Sequence, residues 1–462
     1  MSTTVPAKSQ QGAPERVGGW LPPNSNVLLH WVRKFVEDVD KKSKGMPKIP
    51  FGGAPLYTPA VRDLQTLIES TAELRMLASA MFDEVPDKEP YKTDPVGNRQ
   101  IRSYSHMLTL FSTIMTGVAP EWSKFQAEVG LIGFPFNAIL DWPMATPSGY
   151  AFFLKAEVNE KLKAILNGWR DDVLMTSKSQ YVLTMKEDGW LSPEALTTIM
   201  EATGEPDKLF QDLFNCDTKQ DHWGFKSWDD FFVRKFRNID VDRPVGEKAD
   251  PRWVVNSCES HPFSLQTNVK GYDTFWLKGQ PYSVIEMMGH HEKASEFIGG
   301  TVYQAFLSAM SYHRWNSPVK GKVVYASVIN GTYFSEPTIT GFTNPEGPDP
   351  AAPDMAQGYI THVATRAMYL FEADAPVGLM CAIYVGMADV STCEIGEKFK
   401  KARPDNPVAV EKGEEIGMFH HGGSTHCLLF PAKLKLQWVF EAFPEAAEKN
   451  IPIRGKLAYV DV

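Results

Sequence analysis

The spacing of apolar residues changes once along this chain, near residue 220, and that change restricts the fold more than any other feature. Upstream, apolar positions recur roughly every three to four residues, the mark of helices with one buried stripe. Asn26 to Lys42 carries Leu28, Leu29, Val32, Phe35, Val36 and Val39 on such a stripe. After a loop at Phe51-Gly-Gly-Ala-Pro55, Thr58 to Glu84 reads as one long helix with Val61, Leu64, Leu67, Ile68, Leu74, Leu77 and Met81 inward. The pattern returns at Ile101 to Thr116. It returns again at Gly149 to Asp172, where Leu154, Val158, Leu162, Ile165 and Trp169 share a face. Ser192-Pro193 opens a further helix, with Ser as cap and Pro at the first helical position.

Downstream the pattern shortens. Ser227-Trp-Asp-Asp230 has capping-box spacing, with Asp in place of Glu. It starts a helix through Phe231 to Phe236 that Asp242-Arg243-Pro244 ends. From Trp253 onward short β-like runs alternate with Gly, Pro and Asn turns: Trp253 to Val255, Lys322 to Tyr325, Ala367 to Phe371, Leu379 to Val385, and Leu434 to Phe440. Val377 to Met387 is the most apolar stretch and predicts a buried strand, since it is far short of the roughly 20 residues of a membrane span. The expected class is α+β. Residues 1–23 form a polar tail expected to be disordered, 24–220 a helical domain, and 221–462 a β-rich domain.

Composition narrows the function classes. The chain has 462 residues and a net charge of −9. That balance argues against a nucleic-acid surface, and neither a polybasic anchor nor a basic amphipathic helix points to a membrane. Five scattered cysteines without a C-x-x-C pair support neither a disulfide framework nor a zinc knuckle. No metal site is expected. A reducing, cytoplasmic setting fits, and the N-terminus lacks the apolar segment of a signal peptide.

One stretch stands out chemically: His420-His421-Gly422-Gly423-Ser424-Thr425-His426, followed by an apolar run. Two glycines let the backbone bend, and they leave the Gly423 carbonyl open to the Ser424 hydroxyl. Five other segments precede it in order. They are Ser227 to Phe236 with Asp242-Arg243-Pro244; Lys278-Gly279 with Pro281-Tyr282-Ser283; Ser311-Tyr312-His313-Arg314-Trp315-Asn316-Ser317-Pro318; Gly331 to Ser335; and Val410 to Phe419.

In this order and spacing the set resembles the phosphatidylserine decarboxylase family of pyruvoyl enzymes over roughly residues 225 to 460. The helical half resembles the extra N-terminal domain of that family's soluble fungal branch, the L-tryptophan decarboxylase type, particularly at Gly149 to Thr176 and Asp188 to Ser192. The resemblance implies a zymogen. Ser424 attacks Gly423, the chain splits into 1–423 and 424–462, and the two fragments stay associated. Ser424 becomes a pyruvoyl group, with no need for pyridoxal phosphate. Its ketone condenses with a substrate amine and accepts the electrons left when CO2 departs. The carbanion must then be reprotonated, and His313 occupies the position where the family places that donor.

Two positions depart from the family pattern. The second histidine of the self-cleavage triad is Asn316 here, which cannot act as a general base. The triad acid falls on Glu259, in a loosely matching Asn256 to Ser260. Either His420, His421 or His426 supplies the base, with His421 taken as the site residue, or cleavage is slow and driven by strain. His290-His291-Glu292 and Lys398 to Lys401 read as solvated surface, and Asp349 and Asp354 as an exposed loop. The expected substrate is a small, soluble aromatic L-amino acid resembling tryptophan. Phe334 is a candidate aromatic wall of its pocket or, as readily, a core residue. The alternatives are a phosphatidylserine decarboxylase making phosphatidylethanolamine and an uncleaved, non-catalytic binding homologue.

Overall fold

The computed structural model describes residues 36–39, 41, 57–85, 101, 103–122, 135–144, 146–272, 282–335, 353–387, 389, 392–447 and 449–461. The predicted tail, most of the Asn26 to Lys42 helix, the loop at Phe51 to Pro55, Lys278 to Pro281, and Asp349 lie outside these residues.

The stretch from Thr58 to Glu84 forms two helices rather than one, α1 (Pro59–Ser70) and α2 (Ala72–Asp83). Thr71 between them is extended, and its hydroxyl accepts the N–H of Leu74, so it caps α2. Apolar spacing stays helical on both sides of Thr71, which hides the break from a count of periods. Next come α3 (Tyr104–Gly117), α4 (Pro135–Met144), α5 (Pro147–Phe153) and α6 (Ala156–Trp169), the last continuing through a π turn over Arg170–Leu174. Leu154 falls between α5 and α6 and is exposed, unlike the rest of its predicted face. Ser192 caps α7 (Pro193–Ala202) as expected, and Ser227 caps α8 (Trp228–Phe232). That helix stops at Phe232, well before Asp242, because Phe236 turns back to bridge Phe214 in extended form.

The downstream strands are β1 (Trp253–Val255), β2 (His261–Thr267), β3 (Thr301–Leu307), β4 (Arg314–Asn316), β5 (Gly321–Ile329), β6 (Arg366–Ala373), β7 (Leu379–Met387), β8 (Cys393–Ile395), β9 (Val408–Val410), β10 (Glu415–Phe419), β11 (Gly423–Phe430), β12 (Lys435–Trp438) and β13 (Lys456–Asp461). Seven make one sheet, ordered β2-β3-β11-β7-β6-β5-β9; β1-β13-β12 and β4-β10-β8 form two smaller sheets. Every paired strand is antiparallel to its neighbour.

The large sheet has cores on both faces. On β11, Cys427 and Leu429 join the core shared with the helices, while Leu428 and Phe430 join the core under the small sheets. A strand covered on both faces must be apolar at odd and even positions alike. This explains why Cys427 to Phe430 and Val377 to Met387 read as unbroken apolar runs rather than alternating ones.

Candidate active site

Strand β11 lies between β3 and β7, and all eight of its residues are buried. Ser424 stands opposite Leu307 on one side and Gly386 on the other. Just before the strand, Gly422 has φ 140°, a backbone region that glycine alone enters without strain. The chain therefore turns sharply at Gly422 and delivers the Gly423–Ser424 bond to the head of a rigid central strand. The Ser424 hydroxyl is buried and has no hydrogen-bond partner among the described residues. An unpaired buried hydroxyl is uncommon, and this one lies next to the Gly423 carbonyl in the chain.

The histidines before the bond differ sharply in state. His420 donates from Nδ1 to Asp229 of α8 (3.0 Å) and from Nε2 to Glu394 of β8 (2.9 Å). Burial opposes its charge, but these two hydrogen bonds prevail and lift its pKa to about 9. His420 is therefore an imidazolium cation at neutral pH and cannot accept a proton. His421 is fully buried. Its ring meets Trp228 edge-to-face at 4.4 Å, Trp169 at 5.1 Å and Phe232 at 5.6 Å. Burial, with the neighbouring His313, holds its pKa well below the usual histidine range.

His313, from the loop before β4, stacks on Phe232 at 3.9 Å, and its carbonyl accepts the N–H of Phe419 at the end of β10. Burial and the Arg234 guanidinium press its pKa far down, against the carbonyls of Ser308 and Ser311. The fold thus gathers His313 and His421, from separate segments, against one aromatic wall built from both halves of the chain. His426, two residues past Ser424, is also fully buried; burial lowers its pKa to about 3.

The two positions that depart from the family pattern hold structural contacts. Asn316 donates from Nδ2 to the Gly413 carbonyl at 2.6 Å, and its main chain pairs with Ser257. The Ser257 hydroxyl in turn meets the Tyr384 phenol at 2.5 Å. Glu259 is fully buried and grips Arg243, with 2.6 Å from Nη2 to Oε1, while also accepting the Ile453 N–H. Phe334 is buried edge-to-face on Phe153 of α5, between the two halves. His290 is exposed and pairs with Glu286.

Asp389 was not legible in advance. It follows β7 by two residues, and its carboxylate accepts the N–H groups of Phe136 and Asn137 at the start of α4. Burial pushes its pKa up to about 8, against the pull of those two donors. Its sequence neighbours give no sign that the capped helix lies some 250 residues away. A cleft of about 960 Å3, walled by Trp223, Arg234 and Arg314, opens elsewhere, and Ser424, His313 and His421 do not line it.

Comparison with known proteins makes this the site of a carboxy-lyase. Two phosphatidylserine decarboxylase family models match the chain, one over residues 58–199 and the other over 228–446. The chain belongs to the phosphatidylserine decarboxylase family and is a pyruvoyl-dependent decarboxylase. Decarboxylase iboD of Amanita muscaria is 37% identical over 358 residues, 74% of this chain and 97% of that protein. The L-tryptophan decarboxylase of Psilocybe cubensis is 29% identical over 420 residues, 89% of this chain and 87% of its own length. The phosphatidylserine decarboxylase proenzyme of Stutzerimonas stutzeri is 27% identical over 225 residues, 46% of this chain and 69% of that proenzyme.

Proposed function

We propose that this protein decarboxylates an aromatic L-amino acid of the tryptophan type, releasing the amine and CO2, and that its pyruvoyl group arises from Ser424 by cleavage after Gly423. The single observation that carries the reading is the Gly423–Ser424 bond. It sits at a glycine-only turn, at the head of a buried central strand, with an unpaired hydroxyl. The aromatic substrate is supported by the relative named L-tryptophan decarboxylase, which aligns through both halves. The phosphatidylserine decarboxylase proenzyme of S. stutzeri aligns with under half of the chain. Among the described residues no helix is long and apolar enough to cross a membrane, which accords with a soluble substrate met in the cytoplasm.

The group supplies an electron sink for the carbanion left by CO2. The chain's own residues then hold and move a proton. His313 is kept neutral by burial and by Arg234; a substrate carboxylate arriving beside it favours the imidazolium form. Cleavage makes Ser424 a new chain end that can swing toward His313; the ring takes its proton from the substrate ammonium, which must lose one to condense, and gives it to the substrate carbon once CO2 has left. Phe232, Trp228 and Trp169 exclude water from the two imidazoles, so the proton goes to carbon along a defined path. After cleavage, β11 remains laddered to β3 and β7, which holds residues 424–462 to the larger fragment.

The experiment is intact mass followed by turnover. Splitting at 423/424 and amine plus CO2 from Trp, Phe, Tyr or DOPA are expected. One uncleaved species of 51.7 kDa with no hydroxylamine-reactive carbonyl would leave a non-catalytic homologue. A cleaved chain that ignores all four amino acids but turns over phosphatidylserine would make it a lipid enzyme.

A further inference from the structure

Strand alternation separates the histidines around Ser424. We propose that His426 is the base of the self-cleavage step, taking the Ser424 hydroxyl proton as that oxygen attacks the Gly423 carbonyl carbon. This rests on the cleavage reading above and names the residue that serves it.

The register of β11 against β3 runs without a bulge, pairing Ser424 with Leu307 and His426 with Ala305. Leu307, Ala305, Leu428 and Phe430 all belong to the core under the small sheets. Ser424 and His426 therefore share that face. Residues two apart on one strand face lie about 7 Å apart at Cα; the imidazole and the hydroxyl are not bonded to each other in the structure, and side-chain rotation is what brings them together for the attack. Opposite Ser424 on β7 stands Gly386, which puts no side chain on that face.

Both ring nitrogens of His426 and the Ser424 hydroxyl are buried and lack a hydrogen-bond partner among the described residues. Buried polar atoms are nearly always paired, so three left open on neighbouring positions of one face mark a place reserved for chemistry. The competitors are committed elsewhere. His420 is held between two carboxylates. The His421 ring turns to Trp169, Trp228 and Phe232, in the core shared with the helices. Asn316 is bonded to Gly413.

The step balances without a co-reactant. The Oγ–C bond to Gly423 forms and the C–N bond to Ser424 breaks. The hydroxyl proton passes through the imidazole to the departing Ser424 nitrogen, leaving an ester and a free amine. The titratable groups facing His426 are the phenols of Tyr303 on β3 and Tyr384 on β7, with the Cys258 thiol behind them. Burial keeps all three protonated. With burial also lowering the ring's own pKa to about 3, the base stays neutral across the ordinary pH range.

The test follows splitting of newly translated full chain by mass. His426→Gln is expected to slow it by about a hundredfold or more. A second variant, Ser424→Cys in the His426→Gln background, replaces the hydroxyl with a thiol that ionises without a strong base. It is expected to restore a hydroxylamine-sensitive linkage at 423/424. In the unsubstituted chain the splitting rate is expected to be flat from about pH 5 to about pH 9. Splitting of His426→Gln at the unsubstituted rate overturns the proposal, as does a rate that inflects near a normal histidine pKa. Failure of the thiol variant to form the linkage overturns it too, because a folding defect then explains the loss. A chain that never splits overturns instead the cleavage reading on which the proposal rests.

Discussion

At the residue scale, environment divides histidines that look alike in sequence. His420 and His421 are adjacent, yet two carboxylates charge the first and an aromatic box keeps the second neutral. The folded pKa of His420, about 9, lies above the unfolded histidine value. The stability it contributes is thus complete below about pH 6.5 and is lost as pH rises through about 9. Glu394 shifts the other way, held below its ordinary carboxylate range chiefly by its hydrogen bond to His420, with Lys400 and Arg170 adding to the pull. Thermal melts of the unsubstituted protein should therefore fall between about pH 6.5 and about pH 9. His420→Gln should flatten that slope and cost on the order of 3 kcal/mol at neutral pH. For His313 the expectation is separable: His313→Gln should leave splitting intact while lowering amine release by about 10²–10⁴-fold, read by mass and by CO2 evolution on one preparation. That histidines and a serine cluster at residues 420–426 was legible in the sequence. Which imidazole is charged was not, because Asp229 and Glu394 reach His420 from distant segments.

At the scale of elements, β11 carries most of the constraint. Its apolar run was readable as buried strand, and its position between β3 and β7 follows from sheet order alone. Leu428→Ala should cost about 2–5 kcal/mol in a denaturant melt, since the leucine is fully buried against the second core. Gly422→Ala forces a side chain into φ 140°. It should destabilise by more than about 1 kcal/mol and slow splitting measured on newly translated chain. Caps were the most legible local feature: Ser192 and Ser227 do what their positions foretell. Helix ends governed by distant contacts were not. The halt of α8 at Phe232 depends on Phe236 reaching Phe214, and the break at Thr71 leaves apolar spacing undisturbed.

At the scale of the whole molecule, the helical half packs directly against the candidate site. Trp169 of α6 walls His421, and Asp389 after β7 caps α4 across the divide. Asp389→Ala should cost about 1 kcal/mol as a lost helix cap and raise hydrogen exchange in α4 before it touches the sheet. The sequence by itself determined the α+β order, the buried strands and the family, because these depend on local period and on motif order. Only the tertiary structure decided the rest. It turned Glu259 to Arg243 and Asn316 to Gly413, charged His420, and set Gly386 of β7 opposite Ser424. Burial, partners and strand facing arise between segments far apart in the chain, and no local pattern records them.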